Sequence, residues 1–309
     1  MRAVILNYRE IEFRPVDFVN FLYLLSNLTL IALFNDRLPG YKYSAIGYSL
    51  CLVASLLLIA FAPTRANTYP ARIMVVIRDF YPYILTGYYY PALGNMISVL
   101  YGTNFDQLLI QAEQAFFASQ PSLTFVHAFD NIIIYEAMHF FYFTYYFFAF
   151  AIGGLIYRKN KETFHRFMFV LMFMVTLQFY CFVLWPTAGP KFGFAELGGQ
   201  HLPARGPFSA IMSFMLEGGE IPAGAFPSSH VSVALLCIFF ARKTLGFLQV
   251  WFFWFLFIGL FISTVYLQQH YAIDSIAGVF VAVFFFSAGN KIYDFALQLN
   301  HVPIAVDAT

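Results

Sequence analysis

His270 and Asp274 are two residues whose types and spacing could support catalysis. They lie four positions apart, so they share one face if the segment that begins at His270 is helical. A carboxylate one turn away can accept an imidazole N–H, fix the tautomer and stabilise the positive charge that forms when the other ring nitrogen attacks. The spacing therefore indicates that His270 is a nucleophile and that Asp274 orients it, although such pairs also occur by chance.

A second histidine, His230, follows a helix-start pattern. Pro227 precedes the hydroxyl residues Ser228 and Ser229, and proline and serine favour the first positions of a helix. The free N–H groups and the dipole at a helix start attract anions such as phosphate. Ser228 and Ser229 are therefore predicted to bind a phosphate whose leaving oxygen His230 could reach.

Phosphoryl transfer also needs fixed positive charge beside the equatorial phosphate oxygens. Lys191 and Arg205 are the candidates, because both lie in the loop that leads to the helix start at Pro227. The three cysteines all lie in apolar runs, and their spacing fits neither a disulfide framework nor a zinc site. The sequence thus indicates a phosphoryl-transfer site built from histidines.

The elements that must position these residues are membrane-spanning helices. The 309 residues are 61% hydrophobic and only 11% charged, against roughly 25% charged in soluble domains. Apolar runs of spanning length recur along the chain, which predicts an all-α, polytopic membrane helix bundle. About eight spans are expected, over 18–34, 44–62, 73–100, 132–157, 163–185, 229–241, 247–267 and 271–290.

Two segments break this regular pattern. The span 73–100 is interrupted by the adjacent charges Arg78 and Asp79 and by two prolines, so an interfacial break is expected there. The segment 105–118 has apolar residues at helical spacing beside acidic ones, which predicts an amphipathic helix that lies in the membrane interface.

The spans divide the chain into three regions. An N-terminal two-span extension covers 1–64, a six-span catalytic core covers 65–294, and a tail covers 295–309. Most of the 17 Lys and Arg residues fall in the loops on one side of the spans, and the positive-inside rule makes that side cytoplasmic. Both termini are therefore predicted to be cytoplasmic. The active site then faces the periplasm of a bacterial inner membrane, or the lumen of a Golgi or other secretory membrane. A net charge of +1 gives no indication of a nucleic-acid partner.

The two histidine segments resemble the type 2 phosphatidic acid phosphatase superfamily. Its Pro-Ser-x-His motif is matched from Pro227 to His230, and its His-x-x-x-Asp motif by His270 and Asp274. The resemblance implies a phosphohistidine at His270, support from Asp274 and protonation of the leaving group by His230. It implies no metal and no cofactor. The implied partners are a lipid phosphoester donor, the bilayer, and either water or a lipid alcohol as acceptor.

The sequence departs from the phosphatase pattern in ways that resemble one branch of the superfamily. Ser263 and Thr264 stand where a Ser-Arg pair usually precedes the nucleophile, so a phosphate-binding arginine is missing, and the first phosphatase motif has no match. These departures, with the His270-Tyr271 pair, look like the inositol phosphorylceramide synthases, which move a phospho-headgroup between lipids. The resemblance covers roughly 105–290. A phospholipid headgroup phosphotransferase is therefore the leading expectation, with a lipid phosphate phosphatase as the alternative and a non-enzymatic lipid transporter as a remote one.

Further polar residues fall inside a predicted span. Intramembrane ionisable groups are costly enough to suggest function, and Glu136 and His139 lie three apart on one helical face beside Tyr135. Together with Tyr271, these residues are candidates for a substrate pocket. An equally open alternative is a Glu–His pair that satisfies itself between helices.

Overall fold

The computed structural model describes residues 3–6, 9–38, 40–63, 67–100, 104–194, 197, 202–217, 221 and 223–301. Two short strands, β1 (Ala3–Leu6) and β2 (Arg9–Glu12), pair as an antiparallel hairpin. The other elements that the structure describes are helices: α1 (Pro15–Leu33), α2 (Tyr41–Phe61), α3 (Tyr69–Leu100), α4 (Asp106–Phe117), α5 (Pro121–Ala128), α6 (Ile132–Lys159), α7 (Lys161–Leu184), α8 (Pro190–Gly193), α9 (Pro207–Glu217), α10 (Ser229–Thr244), α11 (Phe247–Tyr266) and α12 (Ala272–His301). The predicted helical bundle is confirmed.

Six helices are long and apolar enough to cross a membrane by length and composition, within the described residues: α1, α2, α6, α7, α11 and α12. They contain six of the eight predicted spans. The other two fall on α3 and α10, which do not meet the same criteria. With 16 residues, α10 is about 24 Å long at 1.5 Å per residue, shorter than the roughly 30 Å hydrocarbon core. α3 is long enough, but its tyrosines, prolines and charges lower its hydropathy.

α3 continues without a break through Arg78, Asp79 and Pro82, so the expected interfacial break is wrong. The reason lies in α1 and the residue before it. The guanidinium of Arg78 is 2.5 Å from Asp17, whose carboxylate also accepts the Tyr81 hydroxyl, and Asp79 is paired with Arg14. Because these charges have partners, they can remain inside the helix. The same contacts join α1 and the residue before it to α3.

The two predicted catalytic segments begin neighbouring helices. α10 is buried along almost its whole length and packs between α6, α7, α11 and α12. Gly278 lets α12 approach the start of α10, because a Cβ at this position would lie 2.6 Å from the backbone oxygen of Ser228. The Ser228 N–H also donates to the backbone oxygen of Asp274 at 3.0 Å. The starts of α10 and α12 are therefore held side by side.

The amphipathic helix that the sequence predicts over 105–118 is present as α4. It buries Asp106, Leu109 and Glu113, while Leu108 and Phe116 on its other side are exposed. Burial of two carboxylates on the inner face means that α4 docks on the rest of the protein through polar contacts as well as apolar ones.

Candidate active site

His230 and His270 face each other at the junction of α10 and α12. The Nδ1 atom of His230 is 2.9 Å from the Nε2 atom of His270, and the two rings meet nearly edge to face. His230 occupies the second position of α10, and His270 lies in the turn between α11 and α12. The structure thus brings together the two histidines that the sequence places 40 residues apart.

The backbone around His270 holds its ring in place. The His270 Nδ1 atom is 2.9 Å from the carbonyl oxygen of Ala225, and the backbone N–H of His270 donates to the Thr264 carbonyl at 3.0 Å. A carbonyl oxygen can only accept, so the Nδ1 atom carries the hydrogen and the Nε2 lone pair faces His230. The side chain is only 3% exposed, and burial lowers the pKa of His270 to about 4. The ring is therefore neutral at physiological pH, as a nucleophile must be.

Asp274 lies beside His270 without a hydrogen bond to it. Its Oδ2 atom is 3.6 Å from the His270 Nδ1 atom, outside hydrogen-bonding range, and accepts the Tyr271 N–H at 2.9 Å. The structure thus gives the imidazole N–H the Ala225 carbonyl as its partner, whereas the spacing suggested Asp274. The Asp274 carboxyl group is fully buried beside the ring.

The position of the His230 ring is fixed by the N-cap of its helix and by two tyrosines of α6. Ser228 is the N-cap of α10, and its Oγ atom accepts the Val231 N–H at 3.4 Å. The Tyr142 hydroxyl is 2.9 Å from the His230 Nε2 atom, and the Tyr145 ring packs on the imidazole with 4.2 Å between centroids. Ser229 lines the cavity next to His230.

The two predicted phosphate-binding cations occupy different surroundings. Lys191 is buried in α8, where its N–H donates to the carbonyl of Gln268, two residues before His270. Arg205 is paired with Asp130, and its guanidinium stacks over the Tyr135 ring at 4.4 Å. The lysine is thus attached to the turn that carries His270, whereas Arg205 joins the loop before α9 to the start of α6.

The four candidate pocket residues have mainly structural contacts. Glu136 accepts the Phe208 N–H at 2.8 Å and so caps α9, and the Tyr135 hydroxyl donates to the Pro203 carbonyl at 2.6 Å. His139 bonds the Tyr135 carbonyl through Nδ1 at 2.8 Å and lines a small cavity of about 20 Å³. The Tyr271 hydroxyl donates to Asp106 at 3.0 Å. The Glu136 carboxylate therefore bonds to the start of α9 and makes no hydrogen bond with His139.

Two buried carboxylates of α4, to which no sequence pattern assigned a role, bond to the residues that directly follow His270. Asp106 accepts the N–H groups of Ala188 and Gly189 at 2.7 and 2.8 Å as well as the Tyr271 hydroxyl. Glu113 caps the start of α12 by accepting the N–H groups of Ala272 and Ile273. Their sequence signal is the seven-residue spacing, which puts both acids on one face of α4.

A cavity of about 430 Å³ leads from the histidine pair between α3, α6 and α7. Both histidines and Ser229 form one end of it. Much of the wall is aromatic, and five tyrosines contribute to it: Tyr83, Tyr90, Tyr142, Tyr145 and Tyr146. The wall also includes Ile84, Gly87, Pro91 and Phe150, which are exposed on the outer surface of α3 and α6. The cavity therefore extends from the site to the surface that a bilayer would cover.

A family model described as the PAP2 superfamily matches residues 106–288, more than half of the chain, including α4, both histidines and Asp274. The chain belongs to the PAP2 superfamily. No curated protein and no solved structure matches it. PAP2 proteins are generally phosphatases or phosphotransferases, so membership supports a membrane enzyme of that type.

The residues that replace the usual PAP2 Ser-Arg pair have structural partners here. Ser263 is buried and donates to the Leu260 carbonyl at 2.8 Å. The Thr264 hydroxyl lies 2.9 Å from that of Ser275 in α12, and its carbonyl accepts the His270 N–H. Thr264 thus holds the turn that carries His270, where the family pattern has a phosphate-binding arginine. Among the described residues, no group of three or more His, Cys, Asp or Glu is arranged to hold a metal ion.

The Glu113 carboxyl is expected to make stability depend on pH. Burial raises its pKa from 4.5 to about 7, so between these pH values the unfolded chain has lost the proton that the folded protein keeps. Stability due to this group therefore falls as pH rises from about 4.5 to about 7 and then levels off. Glu113→Gln keeps the acceptor for the α12 N–H groups but cannot ionise. We expect thermal unfolding in detergent to show a smaller fall across this range for the variant, and equal pH slopes would contradict the assignment.

Proposed function

We propose that this PAP2 protein transfers a phosphoryl or phospho-headgroup between membrane lipids through a phosphohistidine at His270. The observation that carries this proposal is the facing pair of imidazoles, in which the Nε2 lone pair of His270 points at His230 across 2.9 Å. A nucleophile and an acid–base group at the inner end of one cavity are the parts that such a reaction needs.

The proposed reaction has two steps. In the first, the His270 Nε2 atom bonds to phosphorus as the bond from phosphorus to the lipid alkoxide breaks, and His230 gives its proton to the alkoxide. In the second, an acceptor hydroxyl attacks the phosphohistidine, His230 takes the hydroxyl proton, and the bond from phosphorus to His270 breaks. Asp274 stabilises the charge on the His270 ring in both steps. Ser228 and Ser229 at the start of α10 are proposed phosphate contacts, together with Lys191, whose N–H bonds to the Gln268 carbonyl two residues before His270.

The cavity supports a lipid as the substrate. It begins at the two histidines and is walled mainly by aromatic and aliphatic side chains, which suit the glycerol or acyl part of a lipid. Its exposed rim on α3 and α6 would let such a molecule enter from the bilayer. In the proposed topology both termini are cytoplasmic and the reaction takes place at the opposite side of the membrane, as the distribution of Lys and Arg indicates.

A lipid alcohol is the proposed acceptor, as in the inositol phosphorylceramide synthases. This part of the proposal is supported by the replacement of the usual Ser-Arg pair by Ser263 and Thr264 and by the near-complete burial of His270, since transfer to an alcohol requires that water be kept out. Water as acceptor would make the protein a lipid phosphate phosphatase.

The test is to follow the phosphorus. The purified protein would be incubated in mixed micelles with phosphatidic acid or phosphatidylinositol labelled in the phosphate, together with ceramide and diacylglycerol. We expect the label to appear in a new lipid, and its appearance in free phosphate would replace the transferase by the phosphatase. Label that stays in the donor under every combination would contradict the proposed function, and a His270→Ala sample corrects for contaminating enzymes.

A further inference from the structure

A continuous line of hydrogen bonds passes through the histidine pair and includes Tyr142. The Tyr142 hydroxyl is 2.9 Å from the His230 Nε2 atom, the His230 Nδ1 atom is 2.9 Å from the His270 Nε2 atom, and the His270 Nδ1 atom is 2.9 Å from the Ala225 carbonyl oxygen. Tyr142 is 2% exposed and belongs to α6, which carries neither sequence motif. Its hydroxyl is thus the group that meets the side of His230 facing away from His270.

When both rings are neutral, the donors and acceptors along this line of hydrogen bonds can be assigned in only one way. The Ala225 carbonyl accepts, so His270 carries its hydrogen on Nδ1 and presents a lone pair on Nε2. His230 must then donate to that lone pair from Nδ1, which leaves its own lone pair on Nε2. Tyr142 must donate to that lone pair. This arrangement places the His230 proton toward His270 and the space where phosphate would bind, and the Tyr142 hydroxyl occupies the other ring nitrogen.

We infer that Tyr142 is a positioning residue for His230, which keeps Nδ1 as the only atom of that ring that exchanges protons with the reactants. This inference rests on the proposed function and assigns the tyrosine a part in it. When the anionic phosphate enters, His230 takes a second proton from water, and Nε2–H then donates to the Tyr142 oxygen. A hydroxyl can do this because it accepts as well as donates.

The proton count follows from this arrangement. In the first step the Nδ1 proton passes to the departing alkoxide, and His230 becomes neutral with its hydrogen on Nε2, still bonded to Tyr142. In the second step the lone pair on Nδ1 accepts the proton of the attacking hydroxyl, which restores the charged ring. The Nδ1 atom of His230 thus serves as acid and then as base, while the Nε2 atom stays hydrogen-bonded to Tyr142.

The first test reads the tautomer without any need for activity. Protein labelled with ¹⁵N at its seven histidines would be studied in lipid by solid-state NMR above the pH at which the histidines titrate, with a His230→Gln sample to assign the signals. We expect the hydrogen of His230 on Nδ1 in the wild type and in Tyr142→Phe, with the Nε2 signal of the variant shifted to that of a ring nitrogen that has lost its hydrogen bond. Hydrogen on Nε2 in the wild type would overturn the inference, and so would an unchanged Nε2 signal in the variant.

The second test compares leaving groups. Tyr142→Phe should lower kcat by about ten- to thirtyfold for a lipid donor whose alkoxide must be protonated, with KM little changed, since groups that orient a reacting side chain typically contribute in this range. The nitrophenyl ester of the same phosphate has a leaving group that needs no proton, so its first step should be nearly unaffected. Equal losses in the rate of the first step with both donors would show a merely structural role and contradict the inference.

Tyr89→Phe is the matched control. This substitution removes another buried tyrosine hydroxyl, which donates to Asn20 of α1 at 2.7 Å, and it should leave both donors and the His230 tautomer unchanged. If the wild type transfers phosphate from no donor, the proposed function fails, while the NMR result still decides whether Tyr142 holds the His230 Nε2 atom. The two failures can therefore be distinguished.

Discussion

His270→Asn is expected to abolish phosphorylation of the protein and to lower turnover by about ten-thousandfold or more, the scale seen when a covalent nucleophile is removed. Asparagine can still donate a hydrogen bond toward the Ala225 carbonyl but has no nucleophilic nitrogen. The measurement is an acid or alkaline quench within one turnover, after mixing with the labelled nitrophenyl donor. Label should remain on denatured wild-type protein, survive alkali and be lost in acid, as expected of a phosphohistidine.

His230→Asn is the matched control for this experiment. The nitrophenyl leaving group needs no proton, so the first step should still phosphorylate His270, whereas the second step lacks its base. Labelled protein should therefore accumulate in this variant and disappear slowly. Wild-type labelling of His270→Asn would show that the nucleophile is another residue. Loss of labelling in His230→Asn would contradict the role of His230 as an acid that the nitrophenyl donor does not need.

The meeting of the two histidines could be predicted from sequence because both motifs are local. The Pro227-Ser228-Ser229-His230 segment and the His270-to-Asp274 segment each specify a helix start, and the spans place both starts on the same side of the membrane. The same reasoning could not identify the partner of the His270 Nδ1 atom. That partner is the Ala225 carbonyl, whose position depends on the backbone path of a loop, and no residue type signals it.

Other parts of the site depend on contacts that are distant in sequence. Arg205 looked like a free cation, but its charge is paired with Asp130, which is 75 residues earlier. Arg78 looked like a helix break, yet it continues a helix because Asp17 lies 61 residues before it. Tyr142 sits in a run of aromatic residues in which any member could have faced the lipid. Local patterns thus predicted the helices and the chemistry, whereas long-range pairing decided which charges remained available.

The second large effect is expected from a substitution in α4, because Asp106 connects two loops of the candidate site. One of its oxygens accepts the Gly189 N–H and the Tyr271 hydroxyl, and the other accepts the Ala188 N–H. The Ala188–Gly189 backbone leads directly into α8 with Lys191, and Tyr271 follows His270. A carboxylate is suited to this position because it only accepts, and three donors converge on it from two segments.

Asp106→Asn is therefore expected to lower kcat by about a hundredfold, at the upper end of the losses seen for groups that orient catalytic residues. The asparagine NH₂ group would face either the Ala188 N–H or the Gly189 N–H and the Tyr271 hydroxyl, so at least one buried donor loses its acceptor. Tyr271→Phe removes only one of the three hydrogen bonds and should cost less, and Gln107→Ala on the exposed face of α4 should cost nothing. The measurement is kcat and KM with the lipid donor, after the folded fraction has been matched by size-exclusion chromatography and thermal unfolding. Full activity in folded Asp106→Asn would mean that the Ala188–Gly189 loop and the turn that carries His270 keep their geometry without the Asp106 carboxylate.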